Sequence, residues 1–537
     1  MRNATFSITQ NNSDRKKLLN QLLDDLLKRS IHPQDRYEIA VLLETMGWND
    51  KRVYEAFRLE GVFELAEEIW ELLQQKIVFT SFSKPQEKSK WVLLYEMLRS
   101  FLRGLLFALP MAISVFSMLS LKFSLWSYEN LSVDLATCIA IATILSFLLV
   151  GGFTQAIARR GFFYLQQGYY NMGRRITFYF IRLGYILCAL TIVVVCLINI
   201  IFNLLPYHLF LIFLLYFVFL TLIWLSVTVM YILRKEFIFS GLILLGIFIV
   251  FVLFVLLKID ILFSQLIAIA FVALLGMVLS LYFFKREEKR EEKGIVPKLP
   301  RLAVITYLVM PYFIYGFLYF FFLYVDRVMA WSANSEFMPF FIWFRGDYEL
   351  GLDFALLALM LPLGVSEVVV NKMMQDLEDS QKGYSGFEIE RLCRHFLKLY
   401  HKWFLVTAVA SVVSCLLVFI TLLLANDSYY AFAGKDLLFG HTTYFVFICA
   451  LIAYLILAMA LMNAVILFSL SQPKLVNRAI LPAIVVNAVV GFLLSRWFEY
   501  SYGVFGLLAG TIVFAILSYR QINHVLRHLD EYLFAAL

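Results

Sequence analysis

The residues of this chain that could do chemistry are ionisable groups set in apolar surroundings. Asp326 and Arg327 are adjacent in YVDRVMAW, Asp353 lies in GLDFALLALM, Glu367 in LGVSEVVVNK and Arg182 in FYFIRLGYIL. A charge in such a setting is expensive, so it pairs, lines a watery path, or reaches for the surface. The chemistry on offer is therefore the handling of ions, protons or charged groups, not covalent catalysis. No lysine-bearing phosphate loop, HExxH helix or GxSxG elbow accompanies these residues. Of the six cysteines, Cys138, Cys188, Cys196, Cys415 and Cys449 sit in apolar runs and Cys393 in a basic stretch, with no CxxC pair. Packing accounts for them, and neither a metal nor a cofactor is expected.

Each candidate has a structural and a functional reading. Asp326 and Arg327 could form an interfacial ion pair at a helix end, or a polar gate or cation site. Asp353 and Glu367 are nearly four helical turns apart, which predicts a shared helix face. Either could line a cavity, and Glu367 lies near an expected inner end, where it could simply be wet. Arg182 could snorkel to the inner surface or offer positive charge to an anionic substrate. Asn463 and Asn487 fall mid-run, where hydrogen bonding between helices is the plainest role. His208 and His441 lie near the expected outer face and give no sign of a proton relay. The aromatic run YGFLYFFFLY reads as packing or lipid-facing surface.

Apolar helices must position these groups. The chain is 62% hydrophobic, 17% aromatic and only 16% charged, with a mean hydropathy of +0.80, against about 25% charged residues in soluble proteins. The deficit begins after Arg103. From there, apolar runs of about 20 residues recur, each long enough to cross about 30 Å of hydrocarbon. They fall at roughly 104–126, 132–157, 176–203, 207–233, 237–258, 260–284, 303–331, 350–372, 403–425, 443–469, 476–495 and 500–519. Alternate loops are basic. They carry Arg159, Arg160, Arg174 and Arg175, then Arg234 and Lys235, then Lys285 to Arg301, then Lys372 to Lys402, then Lys474 and Arg478. The intervening loops hold scattered cations only, such as Lys258 and Arg345. By the positive-inside rule both termini are expected in the cytoplasm, with the chain in the inner membrane. The aromatic loop around 332–349 is expected to lie in the membrane interface.

The fold class expected is all-α: a polytopic membrane protein of about twelve transmembrane helices in two six-helix bundles, with a small N-terminal cytoplasmic helical domain. The boundaries read as 1–100 for that domain, 101–284 for the first bundle, 285–302 for a charged linker (KREEKREEKGIVPKLPRL), 303–520 for the second bundle and 521–537 for the tail. Each bundle opens alike. Pro110 and Pro311 come early in the first and seventh runs, Trp126 and Trp331 close them, and Asp134 and Asp353 enter the next. Residues 13–77 read as four short helices, starting near Asp14 and Pro33 and broken at Gly47. Acids and bases balance through residue 100, so no nucleic-acid partner is expected. There is no apolar leader in the first 90 residues, so this domain is expected to stay where it is made.

The end of the second run, GGFTQAIARRGFFYLQQGYYNMGRR, places small residues, a polar–alanine stretch, a basic doublet and an aromatic amphipathic stretch in succession. It resembles the second-span exit of polysaccharide flippases of the multidrug/oligosaccharidyl-lipid/polysaccharide (MOP) superfamily. The seventh run, PYFIYGFLYFFFLYVDRVMAW, resembles the start of their second half, and the closest likeness is to PelG-type exopolysaccharide exporters. The resemblance implies a non-enzymatic transporter of a surface polysaccharide or its lipid-linked precursor, working by alternating access or a gated passage. It carries Arg159, Arg160, Asp326 and Arg327 over as candidate transport-path or gating residues, beside Arg182, Asp353 and Glu367 read from burial cost. Expected partners are membrane lipid, the sugar substrate, and a cytoplasmic glycosyltransferase docking on residues 1–100. A small-solute or drug transporter and a non-transporting envelope scaffold are the rival readings.

Overall fold

A computed structural model of the chain describes residues 36–57, 59–79, 90–121, 123–125, 131–166, 168–289, 301–333, 342–381, 389–433 and 440–534, with scattered positions of 15–26. Among these residues the structure is helix and turn, with no strand. The chain divides into two compact units, Met1–Lys88 and Ser89–Leu537.

The first unit holds helices Arg36–Thr45, Asp50–Phe57 and Val62–Phe79. Gly47 takes a positive φ of 84°, and Asn49 accepts a hydrogen bond from the Arg52 amide at 2.9 Å, capping the second helix. The Asp50 carboxylate accepts from the Val62 amide at 2.9 Å and ties the second helix to the third. Ile39, Leu43, Val53, Phe57, Leu65 and Ile69 form the core. The first expected helix and the linker residues 290–300 fall largely outside the described residues.

The second unit contains eleven helices long and apolar enough to cross a membrane, and a twelfth if a bent pair is one span. That pair, Trp91–Leu106 and Ala108–Met118, bends by 49° and takes the place of the first span in chain order. Pro110 supplies the reason: it has no N–H for the carbonyl four residues back, and its ring crowds that carbonyl. The helix starts at Lys90, earlier than the expected 101. The other spans, second to twelfth, are Val133–Leu165, Tyr170–Phe202, Tyr207–Ile232, Glu236–Leu256, Ile261–Glu288, Leu302–Trp331, Gly346–Leu377, Glu390–Asn426, Gly440–Ser469, Pro473–Trp497 and Tyr500–Arg527. The turns between spans use left-handed backbone at Asn203, Arg234, Lys258 and Ser471. Asp260 caps the sixth span by accepting from the Leu262 amide.

Two hydrophobic cores follow the two halves. One centres on Phe217, Leu220, Val229, Ile243 and Val272 and also takes in Ile305 and Val309 of the seventh span. The other centres on Phe322, Phe354, Phe447, Leu457 and Phe514 and takes in Val115, Ala136, Ala140 and Ile144 of the first and second spans. Each half therefore lends residues to the other's core. The third span differs: only 11% of its most apolar window is buried, so most of its surface is left for lipid.

Helix runs beyond several of the expected apolar spans. Past 157 it continues to Gln166 and carries Arg159 and Arg160 on it. Before 403 it already begins at Ile389. Phe344, in the aromatic loop, is packed inside the protein. It is 7% exposed and packs on Trp331 with ring centroids 5.4 Å apart. The Trp343 amide donates to the Trp331 carbonyl at 3.0 Å, folding this segment back on the seventh span. Trp126 and residues 334–341 lie outside the described residues.

Candidate functional site

The end of the bundle that carries Arg174, Arg175, Arg234, Lys235, Lys285 and Arg286 is here the basic end, and the opposite one the far end. About one turn inside the far end, the last turn of the seventh span faces the first turn of the eighth. Asp326 is fully buried and Arg327 is 5% exposed. Successive residues on a helix diverge by about 100°, so the two do not pair with each other. The Tyr348 hydroxyl donates to Asp326 Oδ2 at 2.9 Å. Arg327 turns to the eighth span, with Nε 3.1 Å from Glu349 Oε2 and Nη2 3.6 Å from Asp353 Oδ1. Its guanidinium also lies 4.8 Å from the centre of the Tyr324 ring, one turn back on its own helix.

This is a buried network, not an interfacial pair exposed at a helix end. The Arg327 and Glu349 side chains are 6% and 8% exposed, whereas Asp353 is 31% exposed and is the carboxylate that opens outward. Two carboxylates, Glu349 and Asp353, face the one guanidinium, and Asp326, held by Tyr348, adds a third acid to the cluster. Among the described residues no group of acids, histidines and cysteines converges closely enough to hold a metal ion. Glu349 is the site residue that sequence reasoning missed. Its signal was the four-residue spacing to Asp353 in DYELGLD, which places both on one face.

Asp353 and Glu367 do not share surroundings. A 3-10 turn at Leu357–Leu359 interrupts the helix between them, and its tighter winding shifts the register. Asp353 meets Arg327 of the seventh span. Glu367, toward the basic end, lies within the field of Arg103 of the first span and beside Asn371 on its own helix.

The remaining candidates lie elsewhere. Arg159 Nη2 donates to Ser471 Oγ at 2.6 Å, and the guanidinium sits 5.2 Å from the Tyr312 ring centre. It ties the second span to the seventh and to the turn between the tenth and eleventh. Arg160 lies 5.6 Å from the ring of Phe163 on its own helix. Arg182 belongs to a different part of the first half, against the fourth and sixth spans. Asn463 accepts from Tyr400 at 2.9 Å and donates to Ser518 at 3.2 Å. Asn487 donates to the Phe322 carbonyl at 3.0 Å. Both asparagines therefore join neighbouring spans.

The two halves touch at three depths. At the basic end, besides Arg159, Asn371 donates to Ser100 at 3.1 Å. Midway, a Cβ on Gly316 would run into the Gly151 carbonyl, so backbones of the second and seventh spans meet directly. Next to them Phe147 stacks on Phe320 at 5.1 Å, on Tyr324 at 5.8 Å and on Trp224 at 4.4 Å. At the far end the Phe344 amide donates to Thr137 Oγ1 at 3.1 Å. The described contact between the second and seventh spans is thus aromatic and close-packed. Tyr324 joins it to the charged network, since one face of that side chain meets Phe147 and Arg327 lies over its ring.

No protein-family model matches the chain, and no curated protein matches it. Solved structures share its fold. A MOP superfamily transporter from Pyrococcus furiosus is 12% identical, with 80% of this chain and 96% of that chain covered and a TM-score of 0.54. An outward-facing multidrug resistance MATE family transporter of the MOP superfamily is 13% identical, with 80% and 96% covered and a TM-score of 0.54. A mutant of the Vibrio cholerae MATE transporter VcmN is 14% identical, with 82% and 97% covered and a TM-score of 0.53. The chain has the fold of these multi-pass membrane proteins. At such low identity the likeness speaks for the fold alone.

Proposed function

We propose that the chain is a MOP-type transporter that exports or flips a cell-surface polysaccharide or its lipid-linked precursor, by alternating access between its two halves. The observation that carries this reading is the buried Asp326–Arg327–Glu349–Asp353 network joined through Tyr324 to Phe147 across the contact between halves. A charge network that stiffens one half and leans on the other is a two-state element. Three carboxylates against one guanidinium leave it short of positive charge when all are ionised. A proton arriving through the more open Asp353 would relieve that deficit and loosen the hold on Arg327. Arg159 and Ser471 then serve as a latch at the basic end. By the basic-loop rule that end faces the cytoplasm of an inner membrane, which puts residues 1–88 where a glycosyltransferase could dock. The sugar substrate is supported by the resemblance of residues 151–175 and 311–331 to polysaccharide exporters.

A second reading, a small-solute or drug carrier, is favoured by the neighbour described as a multidrug resistance transporter. One experiment separates the two: surface polymer and lipid-linked sugars measured together in a clean deletion strain. Loss of surface polymer with build-up inside supports the polysaccharide reading. Unchanged sugars in both places remove it, and efflux of small cations then becomes the assay for the carrier reading.

A further inference from the structure

The third span carries an arginine that none of the contacts above employs. Arg182 is exposed, and among the described residues no hydrogen bond or ion pair engages it. It lines a cavity of about 160 Å³ between the third, fourth and sixth spans. The other walls are apolar, Phe178, Leu225, Val229 and Leu281 among them, with two serines, Ser226 and Ser280. The Ser280 hydroxyl is committed to the Gly276 carbonyl at 2.8 Å. Ser226 is 5% exposed and its hydroxyl has no hydrogen bond among the described residues. One cation and one unspent buried hydroxyl thus face the same small space.

Depth and surroundings point to the occupant. Arg182 lies seven residues beyond Arg175 on one helix, about 10 Å deeper at 1.5 Å per residue. Ser280 lies five residues before Lys285, about 7 Å below the same charged rim. An arginine side chain reaching back toward that rim puts its guanidinium at headgroup depth. Of the eleven unbroken spans the third is the one whose most apolar stretch is least buried, so one wall of the cavity is a helix that faces lipid. A lipid in the leaflet presents its phosphate at that depth and can lay an acyl chain on the apolar walls, which a free anion cannot use.

We propose that this cavity binds one anionic glycerophospholipid, its phosphate held by Arg182 and Ser226 and its upper acyl chain lying against Phe178, Leu225 and Leu281. A guanidinium and a hydroxyl suit a phosphate diester, since both donate and the guanidinium also supplies charge. This site is independent of the substrate and of the charged network near the far end.

The test uses the full-length protein in neutral detergent with dioleoyl phosphatidylglycerol or dioleoyl phosphatidylcholine, read by native mass spectrometry. Wild type is expected to keep one phosphatidylglycerol under activation that strips phosphatidylcholine. Arg182→Gln should weaken that retention roughly ten- to a hundredfold and Ser226→Ala several-fold, with Arg182→Lys in between. Millimolar inorganic phosphate should not displace the lipid. Equal retention of the two lipids by wild type, equal retention by wild type and both Arg182 variants, or displacement by phosphate would each overturn the proposal. If Arg182→Gln does not fold, the Arg182→Lys and Ser226→Ala proteins carry the test through the rise in melting temperature on adding phosphatidylglycerol. That rise should be smaller than in wild type, and an undiminished rise in both overturns the site.

Discussion

Arg327 is the residue on which the charged network depends. Replacing it with Gln leaves Glu349 buried against Asp353 with no cation, and loss of one partner from a buried pair costs about 3–5 kcal/mol. Melting of the purified protein in detergent should therefore fall well below wild type. Arg327→Lys should fall between them, because a single ammonium cannot reach Glu349 and Asp353 as the guanidinium fork does. Replacing Arg327 and Glu349 together with Leu should recover part of the loss, which a purely geometric role for Arg327 would not allow. Asp326 and Arg327 were legible in the sequence, since two charges interrupt a long apolar run. Their partners were not. Adjacency suggested that they pair with each other, yet helix geometry turns one to Tyr348 and the other to Glu349. Glu349 stands with Asp347 in the first turn of its helix, where acids are favoured whether or not they meet a cation, so its type and place alone do not mark it.

Among the elements, the second and seventh spans join the two halves on one side, as the first and eighth do on another. Gly316→Val should force the backbones of the second and seventh apart, an overpacking cost of about 1–3 kcal/mol; on the proposed alternating-access function it should also abolish transport into vesicles more completely than it lowers the melting temperature. A drop in melting with transport intact would mean that this contact does not gate. Arg159→Ala removes a charge-assisted hydrogen bond at the basic end, worth roughly 1.5–3 kcal/mol. Spin labels at Phe163 and Lys474 should then report a more open basic end, with distances shifted to longer values. The number of spans was legible, because apolar length is a direct record of the bilayer. The ends of the helices were not. Hydropathy marks where hydrocarbon stops, while helix runs on through charged residues to Gln166 and back to Ile389. The 3-10 turn at Leu357–Leu359 did have a signal in FALLALMLP: Pro362 offers no N–H to the Ala358 carbonyl four residues back, and its ring crowds that carbonyl.

At the scale of the whole molecule, the boundary after Lys88 makes residues 1–88 separable. A chain lacking them should insert, melt within a few degrees of wild type and still transport in vesicles, while surface polymer in cells falls if the domain recruits the synthetic machinery. Transport lost in vesicles as well would place the domain inside the transport cycle. A purified 1–88 fragment should show cooperative helical melting, though so small a core is of marginal stability. The sparse burial of the third span has a different consequence. Its 33 residues extend about 50 Å, well beyond about 30 Å of hydrocarbon, so the helix must tilt or protrude. Its neighbours hold chiefly the part from Met172 to Cys188, so bilayer thickness acts on the tilt of the rest. Thinner and thicker membranes would therefore reshape one wall of the first half; in the second half the same pull reaches the ninth span, 17% of whose window is buried, and spares the tenth, at 67%.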